Sequence, residues 1–396
     1  VIPVMFKLTI GAFYRLGYFS SENILHDSFS RRNFKYGTIF AQIYDIGIDQ
    51  QEFIEKIEYG DPVYFPAKSK LYNIVSIQVE SFNADLINYS YNGREVTPNL
   101  NRIARNNIYF PYLLAQHKTG NSSDAEFSVF NSVEALSGFP AAQFTEYDYP
   151  NSFVKQLSEF SELAFHGNKG DFYNRYENLE KMGFDRFWDR IRMDLPEKGW
   201  GAADEDVFNF MLEKINKETI PFYYHHITMT SHGPFENSKN YYNNPNYSDI
   251  QNNSERNYLN TFSYVDETIS NFIISVRERH PDTYFFIYGD HTVNIEGNDY
   301  KSNVRNIEND FLFEYVPLII ITPENIQYLE EKRIVSFLDL APTILSASGQ
   351  ESQIKTFGEI IIPTDGELIL RKDILFNDEY YSREELFNLI KNGKTL

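Results

Sequence analysis

Four polar positions each follow an apolar run in this 396-residue chain. Glu80 follows NIVSIQV (73–79), His166 follows ELAF, His232 comes shortly after FYYHHIT (222–228), and Asp290-His291 follow TYFFIYG (283–289). Glu80, Asp290 and His291 supply carboxylate oxygens and an imidazole, a mixed donor set suited to Mn2+ or Zn2+. Three protein ligands leave a position open, which is the catalytic arrangement. The remaining ligand is then expected to be a nucleophile whose pKa a metal depresses. The segment KTGNSSDAEFSVFNS offers one. Ser123-Asp124-Ala125-Glu126 has the S-x-x-E form of a capping box and predicts the start of a helix. Ser122 stands just before it, at the positive end of the helix dipole, where a phosphate meets backbone N–H groups. Ser123 is adjacent, so either hydroxyl could fill the role.

These residues need a scaffold that delivers them to one edge. The short apolar runs, with ELAFHG (162–167) and VPLIII (316–321) among them, alternate with helical patterns. Continuous apolar strands separated by helices predict a mainly parallel central sheet flanked by helices, an α/β fold. In such sheets ligands bind at the carboxyl ends of the strands, where the four polar positions fall. Thr97-Pro98 predicts a cap and an N1 proline ahead of NLNRIARNN. Tyr258, Phe262, Val265, Ile269, Phe272 and Val276 recur at three- and four-residue steps and predict an amphipathic helix over 254–279. A helix is also expected from Asp339 to Ser348. The polar, Asn- and Tyr-rich stretch between His232 and Asn257 has no period and is expected to be a loop over a site. His225 and His226 lie inside an apolar strand and read as structural.

Composition removes several classes of function. Acidic residues outnumber basic ones, 56 to 36, for a net charge of −20. Such a surface repels nucleic acid and has little general attraction for anionic lipid headgroups. An anionic substrate would need a local cation, and a bound metal supplies one. Cysteine is absent, which excludes disulfide scaffolds, thiol nucleophiles and iron–sulfur sites. No apolar stretch approaches the ~18 residues of a membrane helix. Residues 1–68 read as a juxtamembrane helical region, with a helix expected from Phe34 to Ile57. Its start, VIPVMFKLTIGAFYRLGYFS, is apolar but broken by Lys7 and Arg15, and is expected to be the remnant of a longer chain tethered by preceding membrane helices. Residues 69–396 form the expected catalytic domain, with a small C-terminal subdomain from about 350.

The order QVES, TPNL, TG…SSDAEF, HG…FYNR, TMTSHGPF, YGDHT and DLAPTIL resembles the lipoteichoic acid synthase branch of the alkaline phosphatase/sulfatase superfamily. The resemblance spans roughly 70–360 of the chain. It implies one catalytic metal, Mn2+ with Zn2+ or Mg2+ as alternatives, held by Glu80, Ser122, Asp290 and His291. It further implies a phosphoglycerol transferase with Ser122 as nucleophile and His232 as acid/base or phosphate contact. His166, Asn168, Tyr173, Arg175 and His232 would line the headgroup pocket. The implied partners are the phosphatidylglycerol headgroup and a glycan or glycolipid acceptor, on the outer side of the cell membrane. The chain departs from the branch in having Ser122 for threonine, Tyr173 for tryptophan and Asn168 for aspartate, and its segment before Ser122 is about two residues shorter. The same site could serve a phosphoethanolamine transferase or a phosphodiesterase, although the former are usually rich in disulfides. A sulfatase would need a C/S-x-P-x-R context that Ser122 lacks. A non-catalytic lipid- or partner-binding homologue is the reading from another class, and it would be expected to have lost at least one of these residues.

Overall fold

The computed structural model describes residues 54–392, apart from 119, 137–139, 144–145, 303, 309–310, 330–332 and 365–366. Residues 1–53 of the region expected to be juxtamembrane, 1–68, lie outside the described residues, as does the expected helix except for its last positions, 54–57. In chain order come β1 (Asp61–Phe65), β2 (Asn73–Val79), α1 (Pro98–Asn106), β3 (Ile108–Leu114) and α2 (Ser122–Asn131). Then follow β4 (Ser161–His166), α3 (Arg175–Lys181), β5 (Arg186–Asp189), α4 (Asp204–Ile215), β6 (Phe222–Ile227) and α5 (Asn253–Arg279). The last part holds β7 (Thr283–Gly289), β8 (Arg305–Glu308), β9 (Phe311–Ile321), β10 (Tyr328–Leu329), β11 (Val335–Ser336) and α6 (Leu340–Ser348). It closes with β12 (Ser352–Thr356), β13 (Asp373–Phe376), β14 (Glu379–Ser382) and α7 (Arg383–Asn392).

Among the described residues, ten strands form the central sheet, in the path β10-β3-β9-β7-β2-β6-β4-β5, with β8 on β9 and β11 on β3. Strands β7, β2, β6, β4 and β5 run parallel, which sends their carboxyl ends to one edge. Alternation buries both faces. Phe286, Tyr288, Leu318 and Ile320 pack with α2 and α6, whereas Phe285, Ile287, Ile319 and Ile321 pack with α1, α4 and α5.

Within this mainly parallel sheet one expectation changes. The apolar run 316–321 is the end of a longer strand, β9, which runs antiparallel to both β7 and β3. Its register on β3 shifts between Val316 and Leu318. Pro317 sits in that irregularity, where a residue without an N–H breaks no ladder. Because β9 is reversed, its amino-terminal half lies at the edge where the parallel strands end.

The cap of α1 also differs from expectation. Pro98 is in the first turn, but Thr97 makes no side-chain cap bond. The open N–H groups of Asn99 and Leu100 donate instead to the Asp266 carboxylate of α5, at 3.1 and 2.6 Å. The Asn-rich stretch is tied to α5 as well. Asn244 N–H donates to Asn260 at 2.7 Å, and Tyr247 and Ser263 share a hydrogen bond of 2.8 Å. β1 pairs antiparallel with β12, Asp61 opposite Thr356 and Phe65 opposite Ser352.

Candidate functional site

Glu80 leaves the end of β2 with its backbone fixed on both sides. Its N–H donates to Thr228 Oγ1 at 2.9 Å, and its carbonyl accepts from Ser231 Oγ at 2.7 Å. The Glu80 carboxylate accepts from Ser81 Oγ at 2.8 Å through Oε1 and from Ser122 Oγ at 3.0 Å through Oε2. His291 Nε2 lies 3.2 Å from Glu80 Oε1 and 3.8 Å from Asp290 Oδ2. Ligand atoms of Glu80, Asp290 and His291 all fall within 4.8 Å of one another. Asp290 Oδ1 is satisfied by the N–H groups of Ser81 and His291. Its Oδ2 is buried and accepts no hydrogen bond among the described residues.

That orphaned carboxylate oxygen is what a cation would satisfy. A buried acceptor with no donor is costly, and two carboxylates cannot share one pocket cheaply without positive charge. The electrostatics agree. Burial and the charge of Glu80 push the Asp290 carboxyl up. Burial also opposes charge on Glu80, but the imidazoles of His291 and His232 outweigh it and hold Glu80 well below the ordinary carboxylate range. Burial would lower His291, and the two carboxylates override it and raise the imidazole. Without a cation, the proton on His291 takes that place. His291 Nδ1 faces the Thr292 carbonyl at 3.1 Å. A carbonyl only accepts, so Nδ1 carries the hydrogen and Nε2 is the ligand atom. The three residues therefore fit a divalent metal.

Ser122 opens α2, but not by the capping box expected. The N-cap position is Asn121, at φ 46°, and no side chain caps the helix. Ser123 Oγ donates to Gly120 O at 3.0 Å and does not reach Glu80. Asp124 Oδ2 accepts from Gly120 N–H, and Oδ1 from Ala141 N–H, both at 2.7 Å, which pins the turn before Ser122. Glu126 does not fold back on Ser123. It accepts from Arg175 Nε at 3.2 Å through both oxygens and from Nη2 at 2.5 Å. A partner 49 positions away displaces the local pattern.

The other predicted residues are placed as follows. Arg175 is 2% exposed, so much of its fork faces Glu126 and not an open pocket. The Tyr173 ring centroid is 5.1 Å from the Arg175 guanidinium carbon. Tyr173 and Asn174 have φ of 62° and 50°. Two successive left-handed residues without glycine store strain at this turn. His166, at the end of β4, gives Nδ1–H to Ile227 O at 2.9 Å. Burial and the nearby Arg175 charge hold it neutral. Asn168 accepts from the Lys169 N–H at 2.8 Å and so caps its own turn. His232 turns Nδ1 to Gly233 O at 2.7 Å, which frees Nε2 for a proton, and its ring meets Trp200 edge-on at 4.3 Å. His225 and His226 are fully buried. His225 Nδ1 bonds Ser76 Oγ at 2.7 Å, and His226 Nδ1 faces Phe165 O at 3.3 Å.

Sequence reasoning passed over Glu314. This residue of β9 accepts from Thr292 Oγ1 at 2.6 Å and pairs through its other oxygen with His117. The His117 ring lies 5.8 Å from that of His291. Glu314 thus joins the loop before Ser122 to the loop bearing Asp290 and His291. Its signal was a lone carboxylate inside the apolar run FLFEYVPLIII.

The sulfatase family model matches residues 72–350. Lipoteichoic acid synthase of Staphylococcus saprophyticus subsp. saprophyticus is 32% identical over 241 residues, 58% of this chain and 37% of that protein. Lipoteichoic acid synthase 2 of Bacillus subtilis is 28% identical over 379 residues, 88% of this chain and 56% of that one. The chain thus spans between 37% and 56% of these relatives' lengths. The crystal structure of lipoteichoic acid synthase LtaP from Listeria monocytogenes superposes with a TM-score of 0.63 at 27% identity, over 76% of this chain and 78% of that one. An alkaline phosphatase superfamily protein from Vibrio parahaemolyticus shares the fold with a TM-score of 0.63 at 20% identity, over 81% and 77% of the two chains. Strand order, the edge that gathers Glu80, Ser122, Asp290 and His291, and these matches lead to one conclusion: the chain belongs to the sulfatase family and is similar to lipoteichoic acid synthases.

Proposed function

We propose that this chain is the catalytic part of a metal-dependent transferase that moves phosphoglycerol from phosphatidylglycerol to a cell-envelope glycan or lipid through a phospho-Ser122 intermediate. The observation that carries the reading is Ser122 Oγ at the first turn of α2, 3.0 Å from a Glu80 carboxylate that also meets His291. The relatives named lipoteichoic acid synthase support the substrate class. A divalent cation, Mn2+ in this reading with Zn2+ or Mg2+ as alternatives, would be held by Glu80, Ser122, Asp290 and His291, and would supply an acidified hydroxyl and neutralised phosphate charge.

The chain's own groups account for the rest. Ser122 Oγ attacks phosphorus, an O–P bond forms, and the bond from phosphorus to the diacylglycerol oxygen breaks. The serine proton passes to solvent, because Glu80 is held too acidic to keep it, and the departing alkoxide receives a proton from His232 Nε2. In the second half an acceptor hydroxyl gives its proton to His232 and takes the phosphoglycerol group, and Ser122 Oγ regains a proton from solvent. The N–H groups of Ser123, Asp124 and Ala125 already donate to Gly120 O and Asn121 O, so α2 offers the phosphate the positive end of its dipole and not these donors, and Arg175, with Tyr173, His166 and Asn168, bounds the headgroup. No helix among the described residues is long and apolar enough to cross a membrane. In this reading the domain works on the outer side of the cytoplasmic membrane, tethered by helices that precede it.

The test is release of diacylglycerol from fluorescent phosphatidylglycerol, with Mn2+, Mg2+ or Zn2+ added. Metal-dependent release should fall by at least three orders of magnitude in Ser122→Ala, with circular dichroism unchanged, and should persist in Ser123→Ala. Equal turnover in Ser122→Ala would rule out this nucleophile. Cleavage of phosphatidylethanolamine in place of phosphatidylglycerol would keep the mechanism and replace the donor.

A further inference from the structure

The connection between β5 and α4 ends in a tight turn, Lys198-Gly199-Trp200-Gly201, closed by Lys198 N–H to Gly201 O at 2.7 Å. Gly199 takes φ +103°, which only glycine adopts freely. A Cβ on Gly201 would stand 2.6 Å from Gly167 O, and Ala202 N–H donates to that same carbonyl at 2.7 Å. The turn is thereby pressed onto the end of β4, beside His166. From the other side Trp200 N–H donates to Asn237 Oδ1 at 2.9 Å. The backbone is held at both ends, yet Trp200 is 46% exposed.

An indole left in water on a fixed backbone gives up burial that a core position would provide. Here it stands edge-on to His232 at 4.3 Å, at the mouth of the site. The cations of this connection are already matched: Arg190 with Glu197 at 3.0 Å, Arg192 with Glu180 at 3.5 Å, and Lys198 with Asp206 at 2.7 Å. Together with a net charge of −20, this leaves the rim poorly suited to phosphate or to an anionic bilayer. A neutral ligand with a flat apolar face and hydroxyls suits such a rim.

We propose that Trp200 is the stacking platform for a sugar ring of the acceptor. The axial C–H bonds of a pyranose present a weakly positive, apolar face to the π cloud of an indole. A ring seated there would hold a hydroxyl beside His232, the group assigned to take its proton. The inference rests on the transferase reading for the role of the sugar, but the binding itself can be read without turnover.

The chain has two tryptophans. Trp188 packs against Phe210 and the Arg186 guanidinium, away from this turn. Titration of the wild-type chain with cellobiose should move its tryptophan emission saturably, and the same titration of Trp188→Phe should retain the change. No response in the wild type, or a response lost in Trp188→Phe, would overturn the proposal. A response to phosphatidylcholine vesicles but not to cellobiose would overturn it in favour of membrane contact. If the chain transfers phosphoglycerol, Trp200→Ala should raise the KM for methyl β-glucoside as acceptor at least tenfold with an unchanged melting temperature, and an unchanged KM would again overturn it. A chain inactive on every donor but responsive to cellobiose would leave this site standing and remove only the transferase reading.

Discussion

At the scale of single residues, the buried pair Glu126–Arg175 carries a large share of the site's precision. Glu126 stands one helical turn beyond Ser122, so its grip on Arg175 ties α2 to the strained Tyr173-Asn174 turn. Both members of the pair are almost fully buried, and removing one partner of such a pair leaves an uncompensated charge. Glu126→Gln should lower the unfolding free energy by about 3 kcal/mol, read from urea titrations, and Glu126→Gln/Arg175→Met should recover part of that loss. A Glu126→Gln chain as stable as the parent would show that the pair is neutral to folding. That Glu80, Ser122, Asp290 and His291 meet at one edge was legible because each follows an apolar strand or opens a helix, and strand ends can be read locally. Glu126 was misread because S-x-x-E looks the same whether the glutamate turns back on its own helix or reaches a distant arginine.

At the scale of elements, the reversed strand β9 decides which groups support the loop that carries Asp290 and His291. A parallel strand would have put Glu314 at the far edge of the sheet. Reversal brings it beside Thr292 and His117. Groups that orient metal ligands without touching the metal typically change affinity or activity 10–100-fold when altered. Glu314→Gln should therefore weaken Mn2+ binding by about 10–100-fold in calorimetric titration, with the circular dichroism spectrum preserved. Unchanged affinity would reduce Glu314 to a packing residue. Direction was the part of the sheet that composition could not reveal. A run such as VPLIII is apolar whichever way it points, and the bulge at Pro317 leaves only a proline as its trace.

For the molecule as a whole, the acidic balance has a local counterpart at the sheet's outer strands. Glu162 N–H donates to Asp185 Oδ2 at 3.2 Å, and Asp185 N–H returns a bond to Glu162 O at 2.8 Å. Burial, with the Asp185 carboxylate beside it, pushes the Glu162 carboxyl up to about 8. A carboxyl raised on folding stabilises while it holds its proton. That contribution is complete below the unfolded value and is lost as the pH climbs through about 8. The melting temperature should thus fall from roughly pH 5 to pH 8, and Glu162→Gln should flatten the slope over that interval. Parallel slopes in the two proteins would remove Glu162 as the cause.

The place of β3 in the sheet sets the order in which the fold assembles. β3 is bonded only to β9, β10 and β11 among the described strands. All of them lie after residue 310 in the chain, whereas β3 leads directly into the loop and helix of Ser122. A chain made from its amino end can therefore join β2 to β6 and β7 while the serine's segment still has no strand to dock on. Non-local pairings of this kind form late and slowly. Ser122 meets Glu80 only after the reversed strand is in place, so in the proposed reading the capacity for chemistry is among the last things the fold acquires.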